Sequence, residues 1–303
     1  MNHLKTFILM LMASLLAACS TSEPVQLNTV KEGKPALWKL TGTKPEQVGT
    51  AYMFGTIHLL PKDVQWRTPL LEKAISESDN LTIEVLGLED TQAAAKIFAK
   101  LAISTEQPEV EQRIKPSLHD ELDAMIDEAS IPEFALNRME SWAAALSLAS
   151  AQTTNLGLSS AEGVDKKLAA QFRKEKKPIK GLETIEQQLG YFDQLPENLQ
   201  REMLTTVIEE AANSKTAFEE LFNAWIAGDE VALSKLSDGG LLEDPKIKEK
   251  LLVARNRNWA DQLDLIMRKP GKSFIAVGAA HLVGPDSVQS MLETRGYKID
   301  KIQ

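Results

Sequence analysis

Two histidines, far apart in the chain, end the same short pattern. Gly55-Thr56-Ile57-His58 follows the apolar run Ala51-Tyr52-Met53-Phe54, and Gly278-Ala279-Ala280-His281 follows Ser273-Phe274-Ile275-Ala276-Val277. The sequence holds only four histidines, so the matched contexts carry weight that one copy would not. Each reads as a strand, a glycine at its end and an imidazole three residues on. In open α/β sheets, ligands bind beyond the carboxyl ends of the strands. Glu84 ends the run Leu81-Thr82-Ile83-Glu84-Val85, and Glu183 follows Pro178-Ile179-Lys180-Gly181-Leu182. If these strands run parallel, two imidazoles and two carboxylates share one sheet edge. Such a donor set suits a divalent metal ion, with His58, His281 and Glu84 as the ligands. Gly55 and Gly278 are expected to let the backbone turn sharply, so that site side chains project.

Blander roles compete with each of these. Glu84 sits among Leu, Ile and Val, where an unpaired carboxylate is costly. It is a ligand, a general base or half of a buried ion pair. Glu183 serves either the site or the dipole of the helix it opens. A helix from Pro245 to about Met267 carries the apolar stripe Ile247, Leu251, Leu252, Trp259, Leu263 and Ile266, and Arg255 and Asn256 lie on or beside it. A buried arginine needs an acceptor, either a carboxylate in a structural ion pair or a substrate oxyanion. Asn256 suits the orientation of a glutamate, a histidine or a water. Asp165, after Gly163-Val164, reads first as a helix-start residue and second as a partner of the site. His119 reads as a surface residue, and Trp142 and Trp225 as core.

The elements that must position these groups follow from pattern. Residues 36–40 and 49–54 read as a hairpin, with further strands at 81–85, 178–183, 273–277 and 297–299. Helices are expected from Thr68-Pro69 to about Ser78, with proline in the first turn, and from Gln92 to about Ile103. The middle reads as helix at 117–129, 132–153, 163–176, 184–189, 196–227 and 229–237, then 245–267 and 285–295. The fold class is therefore α/β, a mixed sheet built on two strand–Gly-x-x-His–helix units with large helical insertions between about 90 and 240. The two units look like a diverged internal duplication.

Composition narrows the function. The apolar share is 43% and the charged share 25%, ordinary globular values, over a length of 303 residues. A net charge of -9 and an aromatic share of 6% argue against a nucleic-acid partner. Lys5 precedes the apolar run 7–18, which reads as a secretory leader and is short for a membrane span. Leu16-Ala17-Ala18-Cys19 resembles a bacterial lipobox, so residues 1–18 are expected to be removed and Cys19 lipidated. Residues 19–35 read as a polar tether, and 36–303 as the domain. Ser20 after the cysteine resembles the signal for outer-membrane sorting, facing the periplasm of a Gram-negative bacterium. Cys19 is the single cysteine, which excludes intrachain disulfides and cysteine chemistry. No Gly-x-Ser-x-Gly elbow, phosphate loop, dinucleotide fingerprint or His-Glu-x-x-His occurs.

Taken in order, several segments resemble the TraB/PrgY/GumN family, which includes the Tiki proteases. They are Met53-Phe54-Gly55-Thr56-Ile57-His58-Leu59-Leu60-Pro61, Ile83-Glu84-Val85, Gly163-Val164-Asp165, Gly181-Leu182-Glu183-Thr184, Arg255-Asn256-x-x-Trp259 and Val277-Gly278-Ala279-Ala280-His281-Leu282-Val283-Gly284. The resemblance implies a fold like that of erythromycin-esterase-like and ChaN-like proteins. It also implies metal-dependent peptidase chemistry with manganese or cobalt, zinc being the further candidate. Carried over by position, His58, Glu84 and His281 form the centre, with Glu183, Arg255 and Asn256 around it. The leading expectation is a lipid-anchored metal-dependent hydrolase acting on a peptide or a small molecule. Glu84 would be ligand or base, and Arg255 or Asn256 the oxyanion donor. The alternatives are a lipoprotein that binds haem, metal or another ligand without turnover, and a scaffold that sequesters a peptide.

Overall fold

The computed structural model describes residues 32–104 and 106–303. The leader, Cys19 and most of the tether lie outside the described residues. Six strands form one sheet: β1 (Leu37–Gly42), β2 (Thr50–Thr56), β3 (Asn80–Leu86), β4 (Ile179–Thr184), β5 (Lys272–Gly278) and β6 (Tyr297–Lys301), in the order β4-β3-β5-β2-β1-β6. The four strands β2, β3, β4 and β5 are mutually parallel. β1 runs antiparallel to both β2 and β6, which completes the expected hairpin. β2 and β5 are neighbours, with Thr56 opposite Gly278. The two Gly-x-x-His patterns therefore leave the sheet side by side.

Parallel strands covered on both faces must be apolar on both. β5 obeys this, buried from Ser273 to Gly278. Alternation then sorts the side chains: Phe54, Phe274 and Ala276 join the larger core, while Met53, Ile275 and Val277 join the smaller one. The larger core is closed by α1 (Pro69–Glu77), α2 (Thr91–Ala102), α3 (His119–Ala129), α4 (Glu133–Leu136), α5 (Ser141–Asn155), α6 (Val164–Lys174), α7 (Ile185–Asp193), α8 (Glu197–Glu209), α9 (Ser214–Ile226) and α10 (Glu230–Ser237). After α11 (Pro245–Lys248), α12 (Ala254–Met267) and α13 (Val288–Thr294) close the smaller core with Trp259, Leu263, Met267, Val288 and Leu292. The result is a mixed α/β architecture with a large helical insertion, as expected. No helix among the described residues is long and apolar enough to cross a membrane.

Three expected helices are interrupted. The span 132–153 breaks between α4 and α5, because the backbone of that stretch is used elsewhere. Met139 bridges to Ile103, Arg113 Nη1 and Nη2 donate to the carbonyls of Met139 and Asn137, and Glu140 N donates to Ala102 O. The span 196–227 breaks at a 3-10 turn, Ala211–Asn213, between α8 and α9. The span 245–267 contains a π-helical turn, Glu249–Val253, between α11 and α12. Ile247, Leu251 and Leu252 before and within that turn and Trp259 and Leu263 after it are all buried, so the pattern reads as one helix.

Candidate active site

Glu84 stands on β3 between Ile83 and Val85, which belong to the larger core, and faces α12 on the other side of the sheet. There Arg255 Nη2 donates to its Oε1 at 2.5 Å. Gln188 Nε2 donates to the same oxygen at 2.7 Å. Oε2 lies 3.9 Å from His58 Nε2 and accepts from Gly278 N at 3.4 Å. Glu183, at the end of β4, takes both remaining arms of Arg255, from Nε and Nη2 at 2.9 Å each, and the indole Nε1 of Trp259 at 2.8 Å. Arg255 Nη1 donates to Leu251 O at 3.1 Å and lies 3.4 Å from His281 Nε2. All five N–H groups of the guanidinium are thereby committed. It is also wedged between the Trp259 and Tyr191 rings, at 4.8 and 5.5 Å from their centroids.

Each histidine is fixed through Nδ1. His58 Nδ1 meets Asp165 Oδ2 at 2.6 Å, and Asp165 Oδ1 accepts from Thr56 Oγ1 at 2.7 Å. His281 Nδ1 meets Asn256 Oδ1 at 2.5 Å, while Asn256 Nδ2 donates to Asp286 O at 2.7 Å. The Trp259 ring packs on His281 with centroids 4.2 Å apart. A carboxylate or amide acceptor on Nδ1 sets the tautomer and leaves Nε2 as the outward-facing atom.

Burial and charge set the ionisation of the cluster. Burial alone would lower the His58 pKa, but the Asp165 and Glu84 carboxylates outweigh it and raise it to about 9. His281 has no carboxylate on its ring; burial and the Arg255 charge lower it to about 3, so it is neutral. Burial works to raise Glu84, yet Arg255, His281 and His58 lower it to about 2. Burial raises Glu183 against the opposing pull of Arg255. Three N–H donors on its oxygens favour the charged form against that burial.

The expected glycine role needs correction. Neither Gly55 nor Gly278 adopts a positive φ, so neither is needed for a sharp turn. Only Gly55 is tight for space. A Cβ on Gly55 would lie 3.1 Å from Ala279 Cα and Cβ, where the two pattern segments cross. A Cβ on Gly278 would lie 3.4 Å from Glu84 Oε2 and 3.5 Å from His281 Cδ2. These are ordinary contacts, so position 278 lies between that carboxylate and that imidazole without being required to be glycine. Trp225 Nε1 donates to Gly55 O at 2.8 Å, so this core residue also pins the first pattern.

The strand-end rule thus gathers His58, Glu84, Glu183, Arg255, Asn256 and His281 in one cluster. Asp165 is a partner of His58 as well as a helix-start residue, the reverse of the order first given to its roles. Sequence reasoning missed Thr56, Gln188 and the indole of Trp259 as partners. Gln188 carried a signal: it falls on the buried side of α7 with Ile185, Leu189 and Phe192. His119 is half-buried, with Nε2 on Glu111 O at 3.2 Å, away from this site.

Among the described residues, no three His, Cys, Asp or Glu side chains stand close enough to enclose an ion as they are. His281 Nε2 faces Arg255, so joint ligation by His58, Glu84 and His281 requires one of those two side chains to shift. The donor chemistry nevertheless fits a divalent ion. Two imidazoles have Nδ1 anchored, and a carboxylate oxygen is free of the arginine.

The family model of TraB/PrgY/gumN matches residues 36–301. The chain belongs to that family. It is 24% identical to the uncharacterized protein YbaP of Shigella flexneri over 80% of this chain and 87% of that protein. The same identity and coverage hold for the uncharacterized protein YbaP of Escherichia coli (strain K12). An uncharacterized protein of Treponema pallidum (strain Nichols) is 21% identical over 95% of this chain and 89% of its own length. No solved structure matches significantly. Family membership accounts for the whole sheet, since the matched span runs from just before β1 to the end of β6.

Proposed function

We propose that this TraB/PrgY/gumN protein is a metal-dependent hydrolase, most consistent with a peptidase, anchored by lipid in the bacterial cell envelope. The observation that carries the reading is the anchoring of both Gly-x-x-His imidazoles through Nδ1 around one carboxylate, Glu84. His58, His281 and Glu84 would hold a divalent ion such as manganese, cobalt or zinc. When bound, that ion supplies Lewis-acid polarisation of a carbonyl and acidification of water.

The chain's own residues divide the remaining work. Asp165 and Asn256 aim the two rings. Gln188 and Arg255 hold Glu84 by Oε1 and leave Oε2 for the site. Arg255 has no N–H left for an oxyanion and therefore acts by positioning, in place of the oxyanion role first considered for it. Asn256 orients His281 through Oδ1 and spends one of its two amide N–H groups on Asp286 O. Glu183 contributes by fixing Arg255.

The test is cleavage of a broad peptide panel by purified protein with added manganese, cobalt or zinc. Cleavage is expected in the wild type and lost in both His58→Ala and His281→Ala; equal rates in all three proteins would refute the site. Asp165→Ala is expected to lower metal affinity about 10–100-fold, the usual effect of removing a partner that orients a ligand. Isothermal titration with manganese checks it, and unchanged affinity would deny Asp165 that role.

The burial of the cluster favours a second reading, ligand binding without turnover. Glu84 is 4% exposed and His281 5%. That reading is supported if metal binds in the wild type and neither peptides nor esters are cleaved.

A further inference from the structure

β6 closes one side of the sheet, with β1 on its inner flank and no strand on its outer flank among the described residues. The ladder to β1 fixes which backbone groups turn outward. Thr43 N donates to Gly296 O at 3.2 Å and Ile302 N to Leu37 O at 2.8 Å, so residues 296, 298, 300 and 302 are the ones that bond to β1. In an antiparallel ladder the alternate residues point the other way. Tyr297, Ile299 and Lys301 therefore present their backbone N–H and C=O groups to the outside. Among the described residues these groups meet no hydrogen-bond partner.

An open edge invites another strand, and proteins commonly guard it with charge. The charges here do not simply repel. Tyr297 and Ile299 turn towards the smaller core, which leaves Lys298 and Asp300 together on the opposite face of β6. There Lys298 Nζ pairs with Asp300 Oδ1 at 2.7 Å, and the two side chains are 65% and 44% exposed. Lysines alone would drive off a second copy of this edge. One lysine and one aspartate, placed symmetrically about Ile299, do not.

The charges also choose the register. Two copies of β6 pair antiparallel only with outward residues opposite outward residues. The registers that overlap most of the strand then put Lys298, Ile299 or Asp300 on the two-fold axis. The first sets lysine against lysine and the last aspartate against aspartate, and like charges directly opposite are destabilising. With Ile299 on the axis, Lys298 of each copy faces Asp300 of the other. These two pairs fall at the non-hydrogen-bonded positions, where side chains come closest. The outward groups of Tyr297, Ile299 and Lys301 are all satisfied in the same register. We infer that β6 is an interface for a second copy of this chain, which extends the sheet antiparallel with Ile299 on the two-fold axis. β6 runs with β2, because both run antiparallel to β1. The second copy's β2 then runs the opposite way, and the two histidine clusters open on opposite edges of one continuous sheet.

Sedimentation velocity of the purified protein tests it, over about 5–500 µM because so small an interface associates weakly. The wild type is expected to pass from monomer to dimer in that range. Lys298→Asp and Asp300→Lys each set like charges opposite one another at both symmetry-related positions. Each is expected to associate about tenfold more weakly than the wild type. Their melting temperatures are expected to stay near that of the wild type, since both side chains are exposed and the ion pair they lose is a surface one. The double variant Lys298→Asp/Asp300→Lys is expected to recover the wild-type association, because the same pairs return with signs exchanged. An equimolar mixture of the two single variants is expected to recover it too. In that mixture aspartate meets lysine only across chains, which separates contact between copies from the ion pair within one chain. A wild type that stays monomeric at the highest concentration overturns the proposal and leaves the charges as a guard on the edge. A dimer that both single variants leave unchanged overturns the choice of β6.

Discussion

Arg255→Leu is expected to destabilise the protein by about 3–5 kcal/mol, the usual cost of removing one partner from a buried ion cluster. Arg255 is 1% exposed, and its two carboxylate partners are each 4% exposed. Without the guanidinium, Glu84 and Glu183 face one another with Gln188, Gly278, Trp259, Tyr191 and the imidazoles as polar neighbours. The deficit depends on pH, and its sign follows from the pKa directions. In the wild type Glu84 is lowered to about 2. Its contribution is therefore full above the unfolded value of about 4.3 and is lost as pH falls towards the folded one. In the variant Glu183 loses the cation that opposed its burial and is raised further, while Glu84 keeps the protonated His58 imidazole 3.9 Å from Oε2. The Glu183 penalty is absent below about pH 4 and grows as pH rises. The gap between the two proteins is thus widest near neutrality and narrows on acidification. Urea unfolding at pH 7 and pH 4.5 measures it. Combining Arg255→Leu with Glu84→Gln and Glu183→Gln is expected to recover most of the loss, since no charge is then left unpaired. A deficit for Arg255→Leu below about 1 kcal/mol, the range of an exposed ion pair, would contradict the description of this cluster.

The second large effect is expected at Gly163, a position with no chemistry of its own. Its φ of -55° and ψ of 141° are open to any residue, so alanine is not excluded by backbone conformation. It is excluded by space: a Cβ would fall well under 3.0 Å from the His58 carbonyl oxygen and carbon, and 3.1 Å from Ser160 O. The neighbouring segments cannot separate freely. Val164 N donates to Ile57 O at 3.1 Å, Ser159 N to Leu60 O at 3.2 Å and Leu60 N to Ser159 O at 3.4 Å. Gly163→Ala must strain those bonds and pull Asp165 away from His58. The expected cost is about 1–3 kcal/mol, as for other overpacked sites, with loss of the Nδ1–H proton resonance of His58. Urea unfolding and low-field proton NMR check the two parts. Wild-type stability with that resonance intact would show that the segments yield more easily than their bonding suggests.

These two residues mark where sequence was informative and where it was not. The sheet was legible because buried parallel strands are largely apolar, with glycine at or near the ends of β2 and β5 and a histidine shortly beyond each. Placing His58 and His281 together required only the strand-end rule and a parallel arrangement, which the Thr56–Gly278 pairing supplies. Arg255 was legible as a charged group on an apolar stripe, which demands a partner. That the partners are Glu84 and Glu183 together was not, because no local pattern links β3, β4 and α12. Asp165 and Gly163 were hidden by a sufficient local explanation, since glycine and aspartate often open helices for reasons unrelated to a site. The interruption at Asn137–Glu140 was hidden for the opposite reason. It is imposed by Arg113 and Ile103, which are distant in sequence and take the backbone groups a continuous helix would have used.

The most direct test of the central claim is the metal content of the domain. Purified protein is dialysed against manganese, cobalt or zinc, freed of excess ion and measured by elemental mass spectrometry alongside His58→Ala and His281→Ala. About one tightly held ion per chain in the wild type and almost none in either variant is the result predicted for a carboxylate and two anchored imidazoles acting together. A wild type that retains no ion, or variants that retain as much as the wild type, would contradict it.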